Sequence, residues 1–452
     1  MIKNKLTYFF LLIGAVVSAQ QQSYSLEEAI NFAIENNRAS VNAARDIDAA
    51  KKQKWETTAI GLPQINATVD YQNFLKQQVS LVPAEFFGGD SGEFAEVVFG
   101  TKQNVNATAT LSQLIFDGSY LVGLQSAKVF LEISRNAKVK TDLAVRTNVI
   151  NAYGNVLVSE ESIKILEDNK ATLEKNLFET QKTFENGLAE EESVEQLQIT
   201  LTEVENALNN SLRLREIAYK LLNLSLGIDV NQSITLTDRL EDLALINLSL
   251  EAPDDAPFSM EENIDYKIAA NDERSKELLL KLEKSKALPS LTGFLNGGYQ
   301  AYSDEFSFFD NDQEWFGSSL LGVSLNIPIF SSLQRTARTQ RAKIEYEKAK
   351  TDLTETEQRI KLELANAKSN YEFSVEKYNI SKKNLDLAER IEKKNQVKFT
   401  EGIASSFELR QAQVQLYSSQ QDYLQAMFDI ISSKVELDNI LYSGELVPVE
   451  EE

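Results

Sequence analysis

The sequence predicts a mixed α/β membrane protein. Three chains would form a trimeric 12-stranded β-barrel, four strands per chain, continued by a long antiparallel α-helical coiled-coil barrel with a small equatorial domain, and each chain would carry two internal structural repeats. Three observations lead there. Two Leu-Pro switches, Leu62-Pro63 and Leu288-Pro289, lie 226 residues apart and each cuts a helical pattern into a strand pattern. The segments beyond them alternate apolar and polar residues with period two, as a half-buried strand does. Each strand pair is then followed by a helical pattern far longer than a compact domain can hold.

At the N-terminus, Lys3 and Lys5 precede an apolar run from Leu6 to Val17 and a small-residue site at Val17-Ser18-Ala19. This is the pattern of a secretory signal peptide over residues 1–19, cleaved after Ala19. A membrane anchor is the competing reading, but the run is shorter than the ~20 residues of a spanning helix. The chain has no cysteine, so the mature N-terminus cannot carry a thioether-linked lipid and no disulfide staples the fold. It also has no histidine, which disfavours a hydrolase triad or a zinc site. Lys plus Arg total 46 against 68 Asp plus Glu, and losing the two signal lysines moves the net charge from −22 to −24. Such a surface repels nucleic acid. No later segment is long and apolar enough for a spanning helix, so the mature chain is either soluble or crosses a membrane as strands.

The first repeat covers residues 20–226. A helical pattern over Leu26 to Ile60 leads to Pro63, and strands are expected at about 63–75 and 104–116. In the second of these, Val105, Ala107, Ala109 and Leu111 share one face, and Asn106, Thr108, Thr110 and Ser112 the other. The second repeat, residues 261–441, has a helical pattern from Glu261 to Ala287, then Pro289, then strands at about 289–301 and 319–330. There Leu321, Val323, Leu325 and Ile327 face away from Gly322, Ser324 and Asn326. Each strand has about the ~10 residues a tilted membrane strand needs. Aromatics gather at their ends, among them Tyr71, Phe86, Phe87, Tyr302, Phe308, Phe309 and Trp315. They read either as an interfacial girdle or as ordinary packing in a soluble sandwich. The connection between the two strands of the second repeat is the acidic loop Asp304, Glu305, Asp310, Asp312 and Glu314. It has calcium-ligand residue types without EF-hand spacing and reads as a solvent-facing loop.

From Leu333 to Lys398 there is no Pro or Gly, and from Tyr120 to Glu185 only Gly123 and Gly154 intervene. At ~1.5 Å per residue each stretch makes a rod of ~100 Å. In the second rod Tyr346, Ala349, Leu353, Thr356, Ile360, Leu364, Ala367, Tyr371, Ser374, Tyr378, Ser381, Leu385 and Ala388 follow steps of three and four, the seam of a coiled coil. FENGLAEEESVEQLQITL (184–201) aligns without gaps on FTEGIASSFELRQAQVQL (399–416), placing hairpin tips at Gly187 and Gly402, glycines that can adopt the left-handed turn ending a helix. Each returning helix and one pre-strand helix together match one rod, so two short helices would pair end to end with each long one. The equatorial segment, residues 227–260, breaks the helical period, and residues 442–452 form an acidic C-terminal tail.

Four strands cannot close a barrel, and an open edge in hydrocarbon leaves unpaired backbone groups. A homotrimer solves this with twelve strands around an aqueous lumen. The alternative is a soluble periplasmic coiled-coil scaffold or adaptor protein without a barrel.

The doubled helix-Leu-Pro-strand unit, the element order, and the Phe-x-x-Gly-[Leu/Ile]-Ala tips together resemble the TolC-type outer membrane efflux protein family over roughly Gln20 to Leu441. The resemblance implies a homotrimeric outer membrane channel with a periplasmic extension, the non-enzymatic, cofactor-free export conduit of a tripartite efflux or type I secretion system. Its partners would be outer membrane lipid, a periplasmic adaptor and an inner membrane transporter. It also implies that the tips close the periplasmic entrance. Acidic constricting residues belong six and nine positions after the second glycine, here Glu408 and Gln411, so one carboxylate is kept. The lock that relatives build from Tyr and Arg falls on Phe399 and Ala404. At the first tip Glu190, Glu191 and Glu195 are further pore candidates, with a solvated first helical turn as the rival reading. Leu188, Ala189, Ile403 and Ala404 are the candidate adaptor contacts, against ordinary turn packing. Neither a substrate nor a class of pump is legible in the residues.

Overall fold

The computed structural model describes residues 22–249 and 258–442. The signal peptide assigned to residues 1–19, the acidic tail beyond Tyr442 and positions 250–257 of the equatorial segment lie outside the described residues. In chain order the first repeat holds β1 (Gln22–Tyr24), α1 (Leu26–Asn36), α2 (Arg38–Ala59), β2 (Gln64–Asn73), β3 (Val79–Pro83), β4 (Phe94–Val98), β5 (Gln103–Phe116), α3 (Gly118–Glu185) and α4 (Glu191–Leu226). β6 (Ile234–Leu236) and α5 (Leu240–Ser249) follow. The second repeat holds α6 (Ile264–Ser285), β7 (Ser290–Ser303), β8 (Trp315–Asn326), α7 (Gln334–Thr400) and α8 (Ser406–Leu441). The chain divides into two compact units. One combines the described residues up to Arg45, those from Ala137 to Tyr266, and those from Glu357 onward; the other combines Asp46–Asn136 and Lys267–Thr356.

Among the described residues, the largest apolar cluster of the helical unit joins several of its helices. Val149, Tyr153 and Val156 of α3, Leu222 and Leu226 of α4, Ala244 of α5, and Leu424, Ile430 and Ile431 of α8 are all buried in it, together with Ala29 and Ala33 of α1. β1 lies parallel to β6, pairing Tyr24 with Leu236. Asp238 fixes this corner: its Oδ2 accepts from the Leu26 backbone N–H at 2.6 Å and lies 3.0 Å from the Tyr153 hydroxyl, which is also 3.0 Å from the Tyr24 carbonyl. Burial pushes the Tyr153 hydroxyl pKa well above its usual range. A second buried knot joins Lys138, Asp142 and Ser40, with Lys138 Nζ 2.5 Å from Asp142 Oδ2 and Ser40 Oγ 2.8 Å from Asp142 Oδ1.

Two departures from the periodicity reading lie here. The single helix expected over 26–60 is broken at Asn37, whose backbone is extended (φ −61°, ψ 132°). Its side chain stabilises the break from both sides, since Oδ1 accepts from Ala39 N–H at 2.9 Å and Nδ2 donates to the Ser225 carbonyl at 2.8 Å. Gly227 ends α4 against this break with φ +84°, and a Cβ there would sit 2.3 Å from the Asn36 carbonyl oxygen. The equatorial segment, expected to break the helical period, nonetheless contains the ten-residue helix α5.

In the other unit β2, β5, β7 and β8 form one antiparallel sheet in that order, leaving β2 and β8 as edges. The register sorts the side chains by chemistry. Ile65, Val69, Leu111, Leu295, Leu321 and Leu325 fall on one face; Asn66, Thr68, Asn106, Thr108, Thr110, Asn296 and Gln300 fall on the other, which is mainly polar and also carries Phe294, Phe316 and Leu320. The apolar face is bare: Ile65 and Val69 are each 72% exposed and Leu321 is 77% exposed. On the polar face Asn296 Nδ2 donates to Thr110 Oγ1 at 2.6 Å. β5 and β7 are each 14 residues long. A hairpin of β3 and β4, not foreseen from the sequence, fills the β2–β5 connection. At that end Tyr71 meets Phe306 and Phe308 edge-on, with ring centroids 5.8 and 6.0 Å apart.

Candidate functional site at the helix joints and tips

Each helix-to-strand joint is built the same way. α2 loosens into Gly61 N–H to Thr58 O and Leu62 N–H to Ala59 O bonds, and Pro63 directly precedes β2. α6 loosens into Ala287 N–H to Lys284 O and Leu288 N–H to Ser285 O, and Pro289 directly precedes β7. Proline has no N–H for the helical ladder and biases the residue before it toward extended backbone, so the chain leaves the helix where the strand starts. The Tyr120 hydroxyl donates to the Thr58 carbonyl at 3.0 Å, satisfying one acceptor that the ending helix frees.

The two tips are matching Schellman turns. Gly187 has φ +76°, its N–H bonds the Phe184 carbonyl at 2.8 Å, and Leu188 N–H bonds Thr183 O at 3.0 Å. Gly402 has φ +71°, its N–H bonds the Phe399 carbonyl at 3.0 Å, and Ile403 N–H bonds Lys398 O at 2.8 Å. This double bond closes a helix on a left-handed residue. Leu188 and Ile403, next in the chain, are 80% and 75% exposed, two apolar side chains held out at the turns; Ala189 and Ala404 are half-buried.

Beyond the turns the repeats differ. α8 starts with a capping box: Ser405 Oγ accepts from Glu408 N–H at 3.3 Å and Glu408 Oε2 accepts from Ser405 N–H at 2.8 Å. The Ser405 backbone N–H, then its hydroxyl, holds the Glu408 carboxyl below the usual carboxylate pKa of 4.5. α4 has Glu190 at the same place without a side-chain cap bond, and Glu191 and Glu192 in its first turn. Glu190, Glu191, Glu195, Glu408 and Gln411 are all exposed. Among the described residues no hydrogen bond or ion pair joins Glu408 to the Glu190–Glu195 group; Ser406 Oγ and Gln196 Oε1, 3.1 Å apart, link the two starts instead. Phe399 packs on the cluster of Leu173, Leu197, Leu201 and Val204, a purely apolar contact.

Sequence reasoning missed the polar layers behind the tips. Asn176 of α3 and Gln396 of α7 exchange two amide bonds, 2.8 and 2.9 Å, and Asn169 Nδ2 donates to Gln420 Oε1 at 2.9 Å. Burial pushes the Glu392 carboxyl up, next to the buried Gln413. The only sequence signal was a polar residue where the coiled-coil seam calls for an apolar one.

The sequence signature described as Outer membrane efflux protein matches residues 29–228 and 261–441, on either side of the segment that carries β6 and α5. The chain belongs to the outer membrane efflux protein family. Outer membrane protein TolC of Vibrio cholerae serotype O1 is 22% identical over 445 residues, covering 96% of this chain and 94% of that one. The solved structure of the outer membrane protein VceC from Vibrio cholerae superposes with a TM-score of 0.71 at 17% identity, covering 93% of this chain and 96% of that one. The CmeC outer membrane channel of Campylobacter jejuni gives 0.74 at 15% identity, with 92% and 85% covered. At such identities the outer membrane efflux fold is what is shared.

Because glutamine can occupy the third position of a capping box, Glu408→Gln separates charge from cap. We expect Glu408→Gln to keep the cap geometry but to melt slightly below wild type at pH 7, because the neutral amide lacks the charge-assisted bond. The wild type should lose the charged cap bond as pH falls below 4.5 through the depressed folded value, since a lowered carboxyl pKa stabilises only above it. The variant should show no such step, which melting curves from pH 7 to pH 3 would reveal.

Proposed function

We propose that this chain is one third of a homotrimeric outer membrane channel, a passive conduit from periplasm to exterior whose periplasmic entrance is the ring of helix tips. The observation that carries this reading is the sheet: one bare apolar face, one polar face, and an unpaired edge strand on each side. In lipid an unsatisfied backbone group costs several kcal/mol, so only closure removes the edges. Three copies pair β8 of one chain with β2 of the next and turn the polar face onto water. The bare apolar face also argues against a soluble scaffold.

In this reading residues 1–19 are a cleaved signal peptide, and a chain without cysteine is held in the membrane by its barrel alone. Energy comes from an inner membrane transporter through a periplasmic adaptor that docks near Leu188, Ala189, Ile403 and Ala404, and rearrangement of the tips opens the entrance. Glu408, with Gln411 and acids of the first tip, would concentrate cations there. The test is purified protein in detergent and in planar bilayers. A heat-stable trimer with single-channel conductance supports the proposal; a monodisperse monomer without membrane activity would sink it. Glu408→Gln, which leaves the cap in place, is expected to weaken cation preference or block, and unchanged selectivity would remove Glu408 from the pore.

A further inference from the structure

Among the four strands of the sheet, Asp70 is the one side chain charged at neutral pH. The register puts it on the polar face, directly opposite Asn106, which is in turn opposite Gln300. That row is thus a carboxylate beside two neutral amides, with Phe316 of β8 as its fourth member. Asp70 is exposed, and among the described residues no hydrogen bond or ion pair neutralises its carboxylate. The side-chain oxygen of Asn106 is buried without a partner, so the neighbour of Asp70 adds a second free acceptor and no positive charge.

We propose that Asp70 sets the charge preference of the strand-lined part of the conduit, independently of the helix tips. The inference rests on the channel reading: closure by three copies would place three Asp70 carboxylates at one level of a lumen otherwise lined by neutral side chains. Fixed charge of one sign in a confined aqueous path enriches counter-ions and depletes co-ions. The ring therefore favours cations and slows anionic solutes at the last stage before the exterior. A rival role exists, because β2 is an edge strand and a charge on an edge deters wrong pairing.

The experiment uses the full trimer in planar bilayers with a KCl gradient. Asp70→Asn is expected to lower the cation-over-anion permeability ratio about two- to three-fold near 0.1 M salt, with most of the difference gone at 1 M, where the screening length falls to ~3 Å. The absence of native cysteine allows a second measurement within a single assembled channel. Asp70→Cys should regain cation preference when a water-soluble anionic thiol reagent restores the charge, and should turn toward anions with a cationic reagent. Val69→Cys, on the apolar face, should not respond to either. A conducting wild type whose selectivity is unchanged in Asp70→Asn and in labelled Asp70→Cys overturns this inference and leaves the channel reading intact. Failure of the neutral variants to assemble while Asp70→Glu assembles assigns Asp70 to edge protection and overturns it as well. A wild type that does not conduct sinks the channel reading and this inference with it.

Discussion

Gly227→Ala is expected to destabilise the helical unit by ~3 kcal/mol or more, combining the cost of a left-handed alanine with overpacking. The added Cβ would meet backbone, 2.3 Å from the Asn36 carbonyl oxygen and 2.9 Å from Asn37 Cα, so no side chain can swing away to make room. That backbone is the α1–α2 break, which Asn37 pins to Ser225, so any shift disturbs the corner that holds β1 and β6. The control is Gly187→Ala. Gly187 has nearly the same φ, +76° against +84°, but a Cβ there meets nothing within 4 Å. It should cost only ~1–2 kcal/mol. Urea titrations of both variants followed by circular dichroism would test this; equal midpoints would show that conformation, not space, limits Gly227.

The second large effect is in the sheet. A Cβ on Gly298 would lie 2.5 Å from the Ala107 carbonyl oxygen and 3.1 Å from Thr108 Cα, whereas one on the adjacent Gly297 comes no closer than 3.9 Å to any atom, the Ser318 carbonyl oxygen. Gly298→Ala must therefore push β7 away from β5, the central pairing of the sheet, at an expected ~3 kcal/mol or more. Gly297→Ala should be tolerated. In a gel assay for heat-modifiable oligomer, the first variant is expected to run as monomer and the second as wild type. Oligomer retained by Gly298→Ala would mean that the strands can separate locally without losing closure.

This pair of glycines also marks where sequence reading reaches its limit. Adjacent glycines in a strand pattern signal a bend or a close approach without saying which; only the register assigns close packing to Gly298. The tips were legible because a left-handed helix end selects glycine, and the joints because proline cannot continue a helical ladder. The two faces of the sheet were legible because a period of two survives in the alternation around Val105 and Val323. The break at Asn37 was not, since its extended backbone is held by Ser225, 188 positions away. Ser405-Ser406-Phe407-Glu408 carries the S-x-x-E capping signature, yet a reading directed at the pore sees only the carboxylate of Glu408. The Asn176–Gln396 pair depends on helices meeting 220 positions apart, and local pattern holds no record of that.

The two free edges of the sheet also constrain how the molecule can be made. On the channel reading proposed above, a lone chain would enter hydrocarbon with two rows of peptide groups unbonded, so insertion and trimerisation would be a single event. In the proposed trimer, a chain that has not yet met its two partners must be kept from aggregating through those rows. Its biogenesis should therefore be second order or higher in chain concentration, a kinetic signature that a barrel closed by one polypeptide would not show.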